Sequence, residues 1–335
     1  MLNGFAAKIL EWFAANGRDL PWRHTRDAYA IWLSEVILQQ TRIQQGEAYW
    51  LRFMRRWPTV EALAAATEDE VLRMWQGLGY YSRARNLLTA ARQVVEMGGF
   101  PETTEGLRRL KGVGDYTAAA IASIAFDKAA AVVDGNVYRV LARHFGIDTP
   151  VNSTEGKKTF AKLADELLPR KEAAAYNQGM MDFGAMVCTP TTPHCEGCVL
   201  AESCVALSTG RTTALPVKVK RTAVKERHLR YFYIRWKGMT AIHRRPAGDI
   251  WQGLWEPFVT EDDGMPDWLG PDCQVSVMAE GVKHVLTHRI LIADCYLVET
   301  GTKPALPDGF VWIDEANIDD YGIPRLVEKL LSIEN

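Results

Sequence analysis

The feature that most constrains the fold is a change in hydrophobic period along the chain. Up to about residue 187, apolar residues recur at spacings of three and four, as in WLSEVILQ and TAAAIASIAF, with breaks at GLGYY, LKGVGDY and VDGN. Beyond about residue 225, the segments LRYFYIRW and HRILIADCYLV are rich in β-branched and aromatic residues. The sequence therefore predicts an all-α domain of about ten helices, followed by an α+β domain that ends in the helix IPRLVEKLLSI.

Charge is distributed unevenly along the chain. The net charge of −2 over 335 residues argues against a protein that binds nucleic acid by bulk positive charge. Residues 1–210 carry 23 basic and 23 acidic side chains, residues 211–245 carry 11 and one, and residues 246–335 carry 5 and 17. The stretch RTTALPVKVKRTAVKER within the basic part is typical of an extended linker. No apolar run reaches the roughly 18 residues that a membrane span needs and no signal peptide is recognised, so we expect no membrane association.

Four of the six cysteines lie within 17 residues. Cys188, Cys195, Cys198 and Cys204 are separated by six, two and five residues, so four thiolates can converge on one centre. Zinc and a [4Fe–4S] cluster both accept four thiolates, and the spacing does not separate them. Cys273 and Cys295 lie outside this spacing and are predicted to be buried thiols.

The segment LKGVGDY predicts a tight turn before an Ala-rich helix. Gly112 and Gly114 flank Val113, and backbone N–H groups of such a turn, at a helix N-terminus, can hold a DNA phosphate without sequence preference. An ordinary helix–helix turn explains the same residues equally well.

Taken together, these segments resemble the endonuclease III superfamily of DNA glycosylases. LPW at 20–22, WLSEVILQQT at 32–41, GLGYYSRARNL at 77–87 and NQGMMDFGAMVC at 177–188 are similar to its adenine DNA glycosylase (MutY) family. The resemblance implies an all-α helix-hairpin-helix glycosylase domain over residues 1–210, whose loop 188–204 holds a [4Fe–4S] cluster on the four cysteines. It also implies a basic linker at 211–227 and an α+β, Nudix-like lesion-recognition domain at 228–335.

The implied activity is hydrolytic removal of adenine mispaired with 8-oxoguanine or guanine in double-stranded DNA, by a monomeric cytoplasmic enzyme. Glu35 shares a helix face with Ile31 and Trp32, so burial should raise the pKa of its carboxyl, and the resemblance makes it the acid that protonates adenine N7. Asp134 is assigned to stabilise the cationic sugar or to trap it covalently, although an aspartate before a helix is also a common N-cap.

One departure from the superfamily bears on the chemistry. Bifunctional members carry a lysine nucleophile where this chain has Tyr116, so we expect a monofunctional enzyme that uses water. Tyr116 and Asn136 match family positions that hydrogen-bond the aspartate and the water or Glu35. Tyr116 taken alone is also compatible with a core aromatic.

The resemblance assigns further residues to the base pocket and to DNA. Trp22, Arg23, Ile43 and Asp182 match the adenine pocket. DNA and lesion contacts are assigned to Gln39, Gln40, Thr41, Leu78, Tyr80, Gly112, Val113, Gly114, Thr287 and His288. Leu286, Thr287 and His288 stand where the family has a Phe-Ser-His triplet that contacts 8-oxoguanine, so a hydroxyl is kept and an aromatic face is lost. The Nudix hydrolase box is not recognisable in the sequence, so this domain is expected to bind rather than to hydrolyse.

Two alternatives remain open at this point. One is a thymine or oxidised-pyrimidine glycosylase with lyase activity, which Tyr116 disfavours. The other is a non-catalytic iron–sulfur or zinc protein that scans DNA, which the joint presence of Glu35 and Asp134 disfavours.

Overall fold

A computed structural model describes residues 2–219, 225–286 and 288–332. Its backbone divides into two compact units. The first takes its described residues from Met1–Ala64 and Thr89–Lys220, and the second from Ala65–Leu88 and Arg221–Asn335.

The chain is helical up to Met186, as its period predicts, and short helices continue through the cysteine segment to Ser208. None of the described helices is long and apolar enough to cross a membrane. Two short 3₁₀ helices, Pro21–Arg23 and Ala201–Ser203, accompany the α-helices. The α-helices are α1 (Leu2–Asn16), α2 (Ala28–Ile37), α3 (Ile43–Arg56), α4 (Val60–Ala64), α5 (Glu68–Trp75), α6 (Ser82–Glu96), α7 (Thr104–Leu107), α8 (Asp115–Phe126), α9 (Gly135–Phe145), α10 (Thr154–Leu167), α11 (Ala173–Met186) and α12 (Val205–Ser208).

Helix α2 is the buried centre of the first unit. Its side chains from Tyr29 to Ile37 are all buried, which is typical of a helix that is apolar on every face. Asp27 caps its first turn by accepting a hydrogen bond from the backbone N–H of Tyr29 (2.9 Å). It packs against α3 and α8, and the small alanines of α8 allow close approach. A polar side chain near the C-terminal end of α2 is therefore held inside the protein.

A second core joins α1, α9, α10 and α11. Ile9, Leu141, Phe160 and Phe183 are each at most 1% exposed in it. Because α9 and α11 both border this core, their relative position is fixed by packing.

Residues 211–219, at the start of the basic stretch, are held against the helical unit and do not form the extended linker that the composition predicts. Leu215 is buried, and its carbonyl accepts a hydrogen bond from Nε of Arg143 (3.0 Å). The Val151 N–H donates to the Val217 carbonyl (3.0 Å). At the other end of the stretch, Lys225 begins the first strand. These contacts anchor residues 211–219 to the helical unit, whereas residues 220–224 lie outside the described residues.

The second unit contains a seven-stranded sheet. Its elements are β1 (Lys225–Trp236), β2 (Met239–Arg244), β3 (Trp255–Glu256), β4 (Phe258–Thr260), β5 (Cys273–Val285), β6 (Arg289–Thr300), β7 (Phe310–Asp314), the 3₁₀ helix Glu315–Asp320 and α13 (Arg325–Leu331). The strand order is β3-β2-β1-β6-β5, with β4 paired to β1 and β7 to β2. Strands β1 and β6 pair in parallel, and the other pairs are antiparallel.

Both faces of this sheet are covered. Leu229 and Leu291 on one face pack with Leu326 of α13, and Phe232 on the other face packs with Trp268 and Tyr296. The closing helix and the strand-rich pattern are therefore present as predicted.

Residues 65–88 belong to the second unit, although the sequence predicts them inside a continuous 1–210 domain. Polar contacts tie them to the sheet: Arg244 pairs with Glu68 and Asp69 (both 3.0 Å), and Arg85 donates to the Gln252 carbonyl (2.5 Å). The GLGYY segment is thus placed on the second unit.

Candidate active site

A pocket of about 300 Å³ lies in the first unit between α2, α8, α9 and α11. It brings together eight of the residues predicted from the sequence. These are Trp22, Arg23, Glu35, Thr41, Ile43, Tyr116, Asp134 and Asn136. Residues separated by a hundred positions in the chain therefore share one site.

Glu35 is a buried carboxyl group in the lining of this pocket. Its side chain is 7% exposed, and burial raises the pKa of its carboxyl from 4.5 to about 7. The Asp134 charge also raises this pKa, whereas the hydrogen bond from Tyr116 and the Arg23 charge lower it. The predicted rise in pKa is thus present, and a carboxyl with this pKa can carry a proton at neutral pH.

Tyr116 is a hydrogen-bond donor in this pocket. Its hydroxyl donates to Oε2 of Glu35 and lies 3.6 Å from the sulfur of Met181. Burial and the neighbouring carboxylates raise the pKa of Tyr116 well above its usual value of 10. The phenol therefore stays protonated and holds the Glu35 carboxyl in one orientation. It cannot act as an amine nucleophile.

Asp134 caps α9 and also lines the pocket. Its Oδ1 accepts from the Val137 N–H (2.8 Å), and its Oδ2 accepts from Nδ2 of Asn136 (2.8 Å). Burial raises the pKa of Asp134, and these hydrogen bonds oppose that rise. The two interpretations of this aspartate, helix cap and pocket carboxylate, are compatible in one conformation.

Arg139 connects this carboxylate to the cysteine segment. Its guanidinium donates to Oδ1 of Asn136 (2.8 Å) and to the carbonyls of Gly184 (2.6 Å) and Cys188 (2.6 Å). The orientation of the Asn136 amide, and through it of Asp134, therefore depends on the backbone at Cys188.

Asp182 does not reach the pocket surface. It is fully buried and accepts hydrogen bonds from Arg18 (2.9 Å, from Nε) and from both terminal nitrogens of Arg23 (2.7 and 2.8 Å). Burial alone would raise the pKa of Asp182, but the Arg23 and Arg18 hydrogen bonds outweigh it and hold the pKa below its usual value. Asp182 thus positions two arginines that line the pocket, instead of lining it as predicted.

Sequence reasoning missed several residues that line the pocket, among them Arg18, Gln178 and Met181. Gln178, Met181 and Ala185 recur at spacings of three and four on α11, so they form one face of that helix. This spacing is visible in the sequence NQGMMDFGAM, and it could have predicted which face of α11 lines the pocket. No local pattern indicates Arg18.

The predicted hairpin turn lies between α7 and α8. Gly112 has φ +79°, a conformation that favours glycine, and Val113 is buried with its N–H bonded to the Leu110 carbonyl (3.1 Å). Gly114 is the N-cap of α8 and has no side chain to cap it, and space around it is open. The turn therefore presents helix N-terminal backbone to an incoming group.

The segment Gln39–Thr41 forms the turn after α2. Gln40 is exposed with φ +58°, and Nε2 of Gln39 donates to the Thr117 hydroxyl (3.3 Å). Only Thr41 of the three lines the pocket. The turn thus carries a residue with a strained backbone, Gln40, directly before Thr41 of the pocket lining.

The four clustered cysteines line one cavity. Cys188, Cys195, Cys198 and Cys204 surround it, and Arg143 contacts the Cys188 sulfur (3.4 Å). Arg143 is buried and also donates to the carbonyls of Thr189 (2.6 Å) and Pro190 (2.9 Å). Among the described residues no group of side chains is close enough to hold a single metal ion. The convergent thiols beside a buried cation nevertheless fit a larger group with four thiolate ligands.

A groove of about 640 Å³ lies within the second unit, and we call it the second-unit groove. It contains three of the predicted lesion contacts, Leu78, Tyr80 and His288, whereas Thr287 lies outside the described residues. The Leu286 N–H donates to the Arg289 carbonyl (2.8 Å), which closes the connection between β5 and β6. The residues that line the second-unit groove are Gly77, Leu78, Gly79, Tyr80, Tyr81, Ser82, Arg85, Asp249, Ile250, Trp251, His284, Val285, Leu286, His288, Arg289 and Arg325.

Known proteins resemble both parts of the chain. A model of the HhH-GPD superfamily of base excision DNA repair proteins matches residues 33–169, and a NUDIX domain model matches residues 230–332. An adenine DNA glycosylase of Mus musculus is 44% identical to this chain, and the alignment spans 98% of this chain and 77% of that protein. One from Buchnera aphidicola subsp. Schizaphis graminum is 30% identical and covers 98% of each chain.

A solved structure of a thermostable thymine-DNA glycosylase matches with a TM-score of 0.58 and 33% identity. It covers 62% of this chain and 97% of that one. With the two domain matches, it confirms the predicted fold class, a helix-hairpin-helix glycosylase domain followed by a Nudix-like α+β domain.

Proposed function

We propose a mechanism for this chain, which belongs to the adenine DNA glycosylase family and removes adenine from DNA in base excision repair. The alternative of a non-catalytic DNA-scanning protein is therefore wrong. The observation that carries the mechanism is the pairing, in one pocket, of a buried Glu35 whose pKa is about 7 with the carboxylate of Asp134.

Glu35 is the general acid. A purine is a poor leaving group until a ring nitrogen is protonated, and proton transfer from a positioned acid contributes about 10²–10⁴-fold to a rate. Glu35 gives its proton to N7 of the flipped adenine, the C1′–N9 bond breaks, and its electron pair leaves with the base. Tyr116 orients the carboxyl for this transfer through its hydrogen bond to Oε2.

Asp134 stabilises the sugar cation left at C1′. Its carboxylate is held by the Val137 N–H and the Asn136 amide, so no reorganisation is needed when the positive charge develops. A water then adds to C1′ and gives a proton to the Glu35 carboxylate, which restores the acid. No amine stands at position 116, so the product is an abasic site in an intact strand.

The four cysteines are proposed to hold a [4Fe–4S] cluster. Cys188, Cys195, Cys198 and Cys204 line one cavity beside the Arg143 guanidinium, an arrangement that suits anionic thiolate ligands. Bound there, the cluster would act structurally, by cross-linking the loop that follows α11. Arg139 bonds the Cys188 carbonyl and the Asn136 amide, so a stable loop also supports the orientation of Asp134.

The proposed substrate is double-stranded DNA with adenine opposite 8-oxoguanine or guanine. The 211–227 segment contributes basic side chains for the DNA backbone, and the domain at 228–335 reads the lesion. The enzyme is proposed to act in the cytoplasm as a monomer, with residues 1–210, apart from residues 65–88 of the second unit, as its glycosylase domain.

The test is a glycosylase assay on duplexes with A, T, C or G opposite 8-oxoguanine, each run with and without alkali. We expect release of adenine alone, and strand breaks only after alkali exposes the abasic site. Strand breaks without alkali would contradict the monofunctional mechanism, and release of thymine would contradict the substrate. Glu35→Gln should bind the duplex normally and release no adenine, so normal turnover by this variant would refute the role of Glu35.

A further inference from the structure

Two aromatic residues with strained backbones line the second-unit groove. Five non-glycine residues of the described chain have positive φ, and the two aromatic ones are Tyr80 (φ +48°) and Trp251 (φ +59°). Both line this groove. A bulky side chain in the left-handed region is rare, and such strain is found preferentially at functional sites.

The ring of Trp251 is held from two sides. The Arg245 guanidinium lies 5.7 Å from its ring centroid, and the His284 ring packs edge-on at 5.8 Å. Arg245 is itself buried and fixed by Glu256 (2.5 and 2.7 Å) and by the Ile250 carbonyl (2.9 Å). The indole is therefore positioned before any ligand arrives, and part of it remains exposed to the groove.

The loop that carries Tyr80 is fixed as well. Nε1 of Trp75 donates to the Gly79 carbonyl (3.0 Å), and Arg83 donates to the carbonyls of Leu78 (3.1 Å) and Gly79 (3.2 Å). Tyr80 is 47% exposed and lines the groove, so its ring is accessible to a ligand there. Two preorganised aromatic rings thus face one groove.

The charges in this groove suit an anionic ligand. Arg85, Arg289 and Arg325 line it. Asp249 is the acidic residue that lines it, and its carboxylate is paired with Arg227 (2.7 Å), Arg245 (2.7 Å) and Arg289 (2.9 Å). Aromatic rings beside guanidinium groups are the chemistry that recognises a nucleotide, since the base stacks and the phosphate pairs.

We propose that Trp251 is a further specificity-determining residue, which stacks on the nucleotide opposite the excised adenine in the groove that also contains Tyr80, a contact that the family resemblance already implies. Trp251 and Leu286 both line this groove. Trp251 supplies an aromatic face there, which the aliphatic side chain of Leu286 cannot supply. This inference rests on the proposed function, because it places the damaged strand in the second-unit groove.

The test is binding of the full chain to three duplexes at one fixed salt concentration, measured by fluorescence anisotropy. The duplexes carry 8-oxoguanine opposite a non-cleavable adenine analogue, guanine opposite the same analogue, or normal pairs throughout. Trp251→Gly removes the ring at a φ that glycine adopts readily, so the unit should still fold. We expect about tenfold weaker binding to the 8-oxoguanine duplex, in line with the loss of base–aromatic stacking, and little change on the paired duplex.

Two further variants separate stacking from folding. Trp251→Phe keeps an aromatic face and should retain most of the affinity, whereas Trp251→Leu fills the space and should behave like Trp251→Gly. Trp312→Phe, on β7 and outside the groove lining, is the matched control and should bind as the wild type does.

The outcomes are distinct. Unchanged binding of the 8-oxoguanine duplex by Trp251→Gly and Trp251→Leu overturns this inference and leaves the proposed function standing. An equal loss on the paired duplex also overturns it, because Trp251 would then be a general DNA contact. If the wild-type chain releases no adenine from either mispair, the proposed function itself fails.

Discussion

Removing the Glu35 carboxyl should stabilise the protein at alkaline pH. Glu35 is 7% exposed, and burial raises the pKa of its carboxyl from 4.5 to about 7, so the folded chain binds this proton more tightly than the unfolded chain does. The free energy of unfolding then falls as pH rises from about 4.5 to about 7, because over this range the carboxyl ionises in the unfolded chain but stays protonated in the folded chain. A tenfold difference in proton affinity is worth about 1.4 kcal/mol, so the complete fall is about 3 kcal/mol.

The assay is the free energy of unfolding from urea titrations at pH 5 and pH 8, followed by far-ultraviolet circular dichroism. Glu35→Gln cannot ionise, and relative to the wild type it should gain about 2–3 kcal/mol between the two pH values. Glu96→Gln, an exposed substitution near the end of α6, controls for the loss of a charge and should show no such gain. The same difference between Glu35→Gln and wild type at both pH values would refute the reasoning.

Three other perturbations test neighbouring parts of the site. Asp134→Asn keeps a side chain that caps α9, so the thermal midpoint should change little, but without the negative charge the single-turnover rate should fall by about 10²-fold or more. A near-normal rate would refute cation stabilisation by Asp134. Tyr116→Phe removes a hydrogen bond that lowers the pKa of Glu35, so the alkaline limb of the pH–rate profile should move to higher pH, and a move to lower pH would contradict this role. Cys198→Ser should lower the iron content and visible absorbance of the purified protein, whereas a wild-type chain that contains zinc and no iron would exclude the cluster.

The parts of the fold set by local pattern were predictable. The apolar period of α2 places Glu35 in the interior, and the glycine at position 112 supplies the φ that the hairpin turn needs. Asp134 precedes α9 as a capping residue does, and its pocket role depends on residues brought close only by folding.

Other features depend on partners far away in the chain. Asp182 is turned from the pocket because Arg18, 164 positions earlier, and Arg23 both donate to it. Residues 211–219 are anchored by a buried guanidinium on α9, Arg143, which sequence composition cannot indicate. Residues 65–88 join the second unit through Arg85 and Arg244, and the strain at Trp251 has no signature in the sequence.

The measurement that tests the mechanism most directly is the single-turnover rate of adenine release between pH 5.5 and pH 9. The rate should be high while Glu35 is protonated and should fall tenfold for each unit of pH above about 7, since the fraction of the acid form falls in that way. A rate that stays constant from pH 6 to pH 9 would show that no group with a pKa near 7 supplies the proton, and it would contradict the assignment of Glu35 as the acid.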